Sequence, residues 1–190
     1  MSSSQTGPLV VAVAGSQRDD SVTRQALVRT LDSARERGAR TELLDLREYD
    51  LPMLDPDVET PADAVRLTDR IAAADVVVLG TPMYHGSYSS PLKTALDYCG
   101  FDEFEDTTVG LVSVAGGSFP TRPLDHLRGV CRALNAWVLP HQVAVPDTHS
   151  IGDAFPTDIA DRLNELGEQA VAYATITPAE RDHPVAPADD

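Results

Sequence analysis

The sequence predicts an α/β fold in which helices cover both faces of a doubly wound, five-stranded parallel sheet with strand order 2-1-3-4-5. Short apolar runs rich in valine and leucine alternate with longer segments whose apolar residues recur at helical spacing, as in parallel βα units. Three of these runs end in loops rich in Ser, Thr and Gly. In open α/β sheets, ligands bind beyond the carboxyl ends of the strands, where strand order reverses.

The first predicted unit is a strand over residues 9–14 followed by a helix over residues 21–37. Gly38 ends this helix. Helical spacing places four apolar residues on one helix face, and these are Leu27, Val28, Leu31 and Ala34. Residues 40–46 are predicted as the second strand.

The second predicted helix begins with Thr60 as its N-cap and Pro61 at its first helical position, which is a common helix start. Its inward residues are Ala64, Leu67 and Ile71. The β-branched run at residues 75–80 is the third predicted strand. A third helix starts at Ser90 and Pro91, with Leu92, Ala95 and Leu96 on one face.

The predicted fourth strand covers residues 109–114. A helix follows in which the residues at helical spacing are Leu124, Leu127, Cys131 and Leu134. Residues 137–145 are predicted as the fifth strand, and Pro140 within them indicates an edge or bulged strand. The last helix covers residues 157–173 and packs through Ile159, Leu163, Leu166 and Ala170.

We expect one domain over residues 1–176, a size that can bury one substantial core. Residues 177–190 are rich in Pro, Ala and Asp, and we expect them to form a flexible acidic tail.

The charge balance is strongly acidic, with 30 acidic and 15 basic residues, a formal net charge of −15 and a single lysine. The acidic residues are spread through every segment, which indicates a halophilic protein of a salt-rich cytoplasm, where a Debye length of about 3 Å at 1 M salt screens self-repulsion. Nucleic-acid binding is disfavoured because the chain has no basic stripe. No apolar run approaches the roughly 20 residues of a membrane helix, and no signal-peptide pattern is present, so we expect a cytoplasmic protein without membrane contact.

The cysteines and histidines do not predict a metal site. Cys99 and Cys131 lack Cys-x-x-Cys spacing and are expected to be reduced core residues. His141 and His149 could pair as metal ligands, but no third ligand lies at a recognisable spacing.

The loop after the first strand has the composition of a phosphate site. A helix N-terminus offers unpaired N–H groups and a positive dipole end, and hydroxyls and an arginine add further donors. The candidate residues are Ser16, Arg18, Ser21, Val22 and Thr23. The chain has neither Gly-x-x-x-x-Gly-Lys-Ser/Thr nor, after this strand, Gly-x-Gly-x-x-Gly, so a monophosphate is favoured over a nucleoside triphosphate or a dinucleotide.

The pattern Gly-Ser-x-Arg-x-x-Ser-x-Thr at residues 15–23 resembles the phosphate loop of the NAD(P)H-dependent FMN reductase family, a flavodoxin-like group. Residues 81–87 (Thr-Pro-Met-Tyr-His-Gly-Ser), followed by Leu-Lys-Thr-Ala-Leu-Asp at 92–97, are similar to the flavin-ring loop of that family. Residues 113–118 (Ser-Val-Ala-Gly-Gly-Ser) resemble its glycine-bearing loop beside the flavin. The resemblance covers residues 10–145.

This resemblance implies a flavodoxin-like fold and an FMN cofactor. It adds to the phosphate loop two further sets of cofactor-binding residues, which are Pro82, Met83, Tyr84, His85, Gly86 and Ser87, and Ala115, Gly116, Gly117 and Ser118. Pro82, Met83 and Tyr84 can supply a flat apolar wall for a planar ring.

Three positions depart from the family pattern. Met83 stands where an acidic residue is frequent, His85 stands where asparagine is frequent, and residues 118–121 replace a second glycine pair. All three lie near the expected ring face, so the electron acceptor stays open.

Each candidate also has an ordinary structural alternative. The hydroxyls could be turn and cap residues, and Arg18 could pair at the surface with Asp19 or Asp20. Met83 and Tyr84 could be core residues. Lys93 could be a solvated residue of a first helical turn.

The resemblance implies an FMN-dependent NAD(P)H oxidoreductase, with NADPH or NADH as hydride donor and a quinone, azo compound, free flavin or similar small molecule as acceptor. Flavin carries the chemistry in such enzymes, so no catalytic side chain is expected apart from His85, a candidate proton donor. The alternatives are a flavodoxin-like electron carrier, which Arg18 disfavours, and a flavin-binding sensor without hydride turnover. The resemblance also implies a homodimer or homotetramer, with residues 88–98 as a contact region.

Overall fold

The computed structural model describes residues 7–152 and 154–174. Residues 177–190, predicted as a tail, lie outside this range, and the assignment of residues 1–176 to one domain stays a prediction. Within the described part of the chain, no helix combines the length and the apolar character needed to cross a membrane.

A parallel sheet forms the centre of the fold. Its strands are β1 (Leu9–Ala14), β2 (Arg40–Asp45), β3 (Val76–Pro82), β4 (Thr108–Val114), β5 (Trp137–Val138) and β6 (Val143–Val145). Their order is β2-β1-β3-β4-β5, and β6 also pairs with β4. This confirms the predicted order 2-1-3-4-5, which brings the loops after β1 and β3 together at the point where strand order reverses.

The predicted fifth strand is interrupted. Val138 pairs with Val109 and Val143 pairs with Val112, so the four residues 139–142 lie opposite two residues of β4. Pro140 lies in this interruption, and proline has no N–H to donate to a sheet ladder. The chain therefore forms two short strands, β5 and β6, on one edge of the sheet.

Helices follow the strands on both faces. They are α1 (Val22–Glu36), α2 (Ala62–Ala72), α3 (Ser90–Asp97), α4 (Phe101–Phe104), α5 (Arg122–Ala133) and α6 (Thr157–Ala172). Short 3₁₀ helices occur at Leu46–Glu48 and Thr148–Ser150. The sequence did not predict α4, because one turn is too short to show a helical period.

Two details of the helix predictions are wrong. Pro61, with ψ at 146°, is the N-cap of α2 and the helix begins at Ala62, so Thr60 does not cap it. Val28 is exposed although it was assigned to the inward face of α1. It lies about 100° around the helix from Leu27 and falls outside the stripe that packs on the sheet.

Alternating residues of the strands supply two cores. Val10, Ala12 and Ala14 of β1 pack with α1 and α6 on one face of the sheet. Val11 and Val13 belong to the core on the other face, which includes residues of α2, α3 and α5.

Both cysteines are free thiols, as predicted. Cys131 is buried, and burial raises the pKa of its thiol to about 12. Burial likewise raises the pKa of the Cys99 thiol.

Candidate functional site

The three candidate loops follow β1, β3 and β4 and lie at the carboxyl edge of three neighbouring strands. Parallel pairing carries the register to the ends of these strands, with Ala14 opposite Gly80 and Pro82 opposite Val114. The fold therefore places the three loops that carry the candidate residues at one edge of the sheet.

Ser89 connects the first loop to the second. Its hydroxyl donates a hydrogen bond to the carbonyl of Gly15 at 2.7 Å, and its main-chain N–H donates to Oγ1 of Thr81 at 2.9 Å. The N–H of Gly15 donates in turn to the carbonyl of Gly80 at 2.8 Å. The sequence analysis did not identify Ser89.

The close approach of the two loops requires glycine at position 15. A Cβ atom there would lie 2.8 Å from the Cβ of Leu92 and 2.9 Å from Oγ of Ser89. These distances are shorter than van der Waals contact, so a side chain at this position would push the loops apart.

The hydroxyls of the first loop are buried at the N-terminus of α1. Ser16, Ser21 and Thr23 are each less than 5% exposed. The Ser21 hydroxyl accepts a hydrogen bond from the N–H of Arg24 at 3.1 Å and so acts as the N-cap, which was the alternative role considered for it. The main-chain N–H groups of Val22 and Thr23 have no acceptor within residues 7–152 and 154–174, as expected at the start of a helix.

Arg18 is exposed, and its guanidinium has no hydrogen-bond or ion-pair partner among the described residues. The alternative pairing of Arg18 with Asp19 or Asp20 is not formed. Asp19 instead pairs with Arg47, whose Nη1 lies 3.0 Å from its carboxylate. The guanidinium of Arg18 and the N–H groups at the start of α1 are thus donors that an anion could use.

A second turn shapes the loop after β3. Tyr84 and Ser87 exchange main-chain hydrogen bonds at 3.0 and 3.1 Å, and the two residues between them, His85 and Gly86, have φ values of 50° and 83°. Positive φ at both central positions defines a type I′ turn, for which asparagine followed by glycine is the favoured pair. The turn type therefore explains why asparagine is frequent at the position of His85, since histidine adopts this backbone conformation less readily than asparagine does.

Two contacts fix the position of this turn. The N–H of Met83 donates to the carbonyl of Val114 at 2.7 Å, and the Ser87 hydroxyl lies 3.0 Å from Nδ1 of His126 on α5. Tyr84 is half exposed, which excludes the core alternative for this residue in the described fold. The tyrosine ring is accessible at the carboxyl edge of the sheet.

The third loop is held by the segment that follows β6. The N–H of Thr148 donates to the carbonyl of Ala115 at 3.1 Å, and the N–H of Asp147 donates to the carbonyl of Gly117 at 3.2 Å. Gly116 lies against His149, whose Nε2 would be 2.7 Å from a Cβ at that position. Ser118 donates weakly to the Asp147 carboxylate, at 3.4 Å.

His149 therefore lies at the carboxyl edge of the sheet, although the sequence analysis names it only as a possible metal ligand. The available signal was its position just after the last strand, on the same side as the other loops. The residues that the structure describes contain no cluster of three metal-ligating side chains. Lys93 pairs with Asp97 one turn along α3 and is exposed, which matches its alternative role.

The site has two chemically different ends. One end carries an unpartnered guanidinium and free N–H groups, which suit a phosphate. The other end carries exposed aromatic side chains, Tyr84 and Phe119, beside main-chain groups of the second and third loops, which suit a planar ring. The residues present fit a ligand that joins a phosphate to a flat ring.

A family model described as "NADPH-dependent FMN reductase" matches residues 8–150 of the chain. Among curated proteins, the chain is similar to an FMN-dependent NADPH-azoreductase of Staphylococcus aureus, with 42% identity over 113 residues. That alignment covers 56% of this chain and 60% of the relative, so the chain spans less than two thirds of the length of the curated relatives it matches.

Solved structures support the fold. The NAD(P)H:(acceptor) oxidoreductase flavoenzyme of Paracoccus denitrificans superposes with a TM-score of 0.74 at 20% identity, over 90% of this chain and 98% of that one. An FMN-dependent NADH-azoreductase of Bacillus anthracis, solved with FMN, superposes with a TM-score of 0.61 at 15% identity, over 89% of this chain and all of the other. At these identities the superpositions show a shared fold.

Proposed function

This chain belongs to the NADPH-dependent FMN reductase family, and on that premise we propose that it is an FMN-dependent NAD(P)H oxidoreductase. The acceptor class is a small electron acceptor such as an azo compound, a quinone or free flavin. When bound, FMN would supply the hydride-transfer chemistry between the nicotinamide and the acceptor. The similarity to an FMN-dependent NADPH-azoreductase supports azo compounds as the first acceptors to test.

We assign the phosphate of FMN to the loop after β1. There the guanidinium of Arg18 and the N–H groups of Val22 and Thr23 would donate to its oxygens, and Ser16 and Ser21 would shape the loop. The single observation that carries this assignment is that the Arg18 guanidinium has no partner among the described residues although two aspartates follow Arg18 directly in the sequence. An unpaired arginine beside a helix N-terminus is a site prepared for an anion.

We assign the flavin ring to the other two loops. Pro82, Met83 and Tyr84 would form a wall along the ring, and the turn at His85, Gly86 and Ser87 would bring main-chain groups to its edge. The third loop would border the ring with Ala115, Gly116, Gly117 and Ser118. His85 and His149 are two ionisable side chains of this region that could exchange protons with an acceptor.

The first experiment is a visible spectrum of the purified protein after addition of FMN and removal of the excess, followed by anaerobic NADPH or NADH. Retained flavin absorbance that bleaches on addition of the nucleotide is the expected result. Retained flavin that does not bleach with either nucleotide would favour the electron carrier or the sensor, and loss of the flavin on desalting would contradict a resident FMN.

The phosphate assignment has its own test. Replacement Arg18→Ala should raise the Kd for FMN by about ten- to a hundredfold, because a hydrogen bond to a charged group contributes about 1.5–3 kcal/mol. Folding should be unchanged, since the side chain is exposed. Arg132→Ala, an exposed arginine of α5 that lines none of the three loops, is the control. Equal affinity of the Arg18→Ala protein and the wild type would refute the assignment.

We further propose that the protein is a homo-oligomer of a salt-rich cytoplasm. The formal net charge of −15 supports salt adaptation, and exposed apolar side chains at the carboxyl edge, Tyr84 and Phe119, support a contact that covers the site. Residues 88–98 on and beside α3 are the proposed contact region. Light scattering in 0.2 and 3 M KCl tests the oligomer, and a monomer at both salt concentrations would contradict it. Loss of the folded circular dichroism spectrum at 0.2 M but not at 3 M KCl is the result expected of a salt-adapted protein, and an unchanged spectrum would contradict that proposal.

A further inference from the structure

Asp19, in the loop after β1, is held by two arginines from outside the loop. Arg47, in the 3₁₀ helix after β2, places Nη1 3.0 Å from the Asp19 carboxylate. Arg24, in the first turn of α1, donates from Nη2 to the main-chain carbonyl of Asp19. The side chain of Asp19 is fully exposed, and the contact with Arg47 is its one polar side-chain contact among the described residues.

Both arginines are anchored on Asp45 at the carboxyl end of β2. Arg47 contacts the Asp45 carboxylate from Nε at 3.0 and 3.1 Å and from Nη2 at 2.6 Å, and Arg24 adds a contact at 3.3 Å. The Asp45 side chain is 8% exposed. Burial opposes its ionisation, but the hydrogen bonds from Arg47 and the positive charges of Arg47 and Arg24 together outweigh that effect and lower the pKa of the carboxyl.

The loop after β1 contains both an arginine and two acidic residues that could pair with it. Arg18 is followed by Asp19 and Asp20, and either carboxylate could neutralise the guanidinium in an exposed loop. An aspartate paired with Arg18 would also repel the phosphate that Arg18 is assigned to bind. In the structure, Arg47 pairs with Asp19, the carboxylate that directly follows Arg18 in the sequence. The Arg18 guanidinium has no partner among the described residues.

We propose that Arg47 is a positioning residue that holds Asp19 away from Arg18, so that Arg18 stays available to the phosphate of the ligand. Arg47 itself is not assigned a contact with the ligand. The proposal rests on the assignment of the loop to the FMN phosphate, and it deepens that assignment by naming what keeps the site free of an internal anion.

The test is a double-mutant cycle on FMN binding with Arg47→Ala, Asp19→Asn and the combined variant. Titrations by flavin fluorescence are made at the lowest KCl concentration at which circular dichroism shows each variant folded, because salt screens exposed pairs. Arg47→Ala alone should raise the Kd for FMN by about two- to fivefold, the range expected for an exposed ion pair. In the Asp19→Asn background, the same replacement should leave the Kd unchanged.

Two controls separate this role from a general loss of structure. Riboflavin has the ring but no phosphate, so its affinity should be the same for Arg47→Ala and wild type. Arg70→Ala removes a surface arginine that pairs with Glu42 of β2. It is distant in sequence from the loop and has no contact with it among the described residues, so FMN affinity should not change.

The outcomes are distinguishable. If Arg47→Ala weakens FMN binding equally with and without Asp19, Arg47 acts directly or through Asp45 and the proposal is wrong. If Arg47→Ala leaves FMN affinity unchanged, Asp19 does not compete for Arg18 and the proposal is also wrong. If the wild-type protein does not bind FMN, the proposed function fails and this inference fails with it.

Discussion

We predict that the hydrogen bond of Ser89 to Gly15 stabilises the contact between the first two site loops. Its hydroxyl donates at 2.7 Å to the Gly15 carbonyl, which accepts no other hydrogen bond from the described residues. The Ser89 side chain is 1% exposed, so water would not readily replace the lost donor. Replacement Ser89→Ala leaves a buried carbonyl unsatisfied, which costs about 1–3 kcal/mol.

Ser113 offers a matched comparison. Ser113 is also fully buried, at the carboxyl end of β4, but its hydroxyl has no hydrogen-bond partner among the described residues. Removal of an unsatisfied buried hydroxyl costs nothing and relieves a desolvation penalty. We therefore expect Ser113→Ala to leave stability unchanged or to raise it by up to about 1 kcal/mol.

Urea unfolding followed by circular dichroism measures both effects, and thermal unfolding gives a second reading of about 2–4 °C per kcal/mol for a chain of this size. Ser89→Ala should also weaken FMN binding, because it frees the loop that carries Arg18. Equal destabilisation by the two serine substitutions would refute the reasoning, since burial alone would then account for both.

Three other predictions concern the turn, the acid side of the pH range and the thiols. Replacement His85→Asn should raise the free energy of unfolding by up to about 1 kcal/mol in urea titrations, because asparagine tolerates φ near 50° better than histidine does, whereas no gain would argue against strain at this turn. Because the pKa of Asp45 is lowered in the folded state, its ionised form stabilises the fold above the unfolded pKa of about 3.9, and this contribution is lost as the pH falls through the lower folded pKa. Asp45→Asn should therefore make the free energy of unfolding less dependent on pH in the acid range. An unchanged pH dependence would contradict the prediction. The raised pKa values of Cys99 and Cys131 predict slow reaction of both thiols with a disulfide reagent at pH 8. Cys131, which is fully buried, should react only after unfolding, and fast labelling of Cys131 in the native protein would contradict the prediction.

The sheet was predictable because its signals are local. Runs such as Val10–Val13 and the apolar residues of α1 and α5 carry their periods within a few residues, and alternation along the chain leaves few ways to order the strands. The predicted boundaries were wrong where tertiary contacts determine the ends of a strand or helix. Pro140 predicted an irregular edge strand, but only pairing with β4 shows that four residues are accommodated opposite two.

For the site, the sequence by itself determined which loops meet, since loops that follow parallel strands emerge at one edge of the sheet. It also determined the chemical character of each loop, which is set by residue type: hydroxyls and an arginine in one, apolar and aromatic side chains in the next, and glycines in the third. These properties follow from composition at fixed spacing and need no knowledge of distant neighbours.

Only the tertiary structure decided how individual side chains are partnered. The sequence allows Arg18 to pair with an adjacent aspartate. In the fold, Arg47, which is 28 positions from Asp19, lies within hydrogen-bond distance of the Asp19 carboxylate. Ser89 gained its role from a carbonyl 74 positions away, and His149 came to the third loop from the far side of β6. Polar contacts depend on distances of a few tenths of an ångström between residues that are remote in sequence, and such distances are fixed by the packing of the whole chain and not by any local pattern.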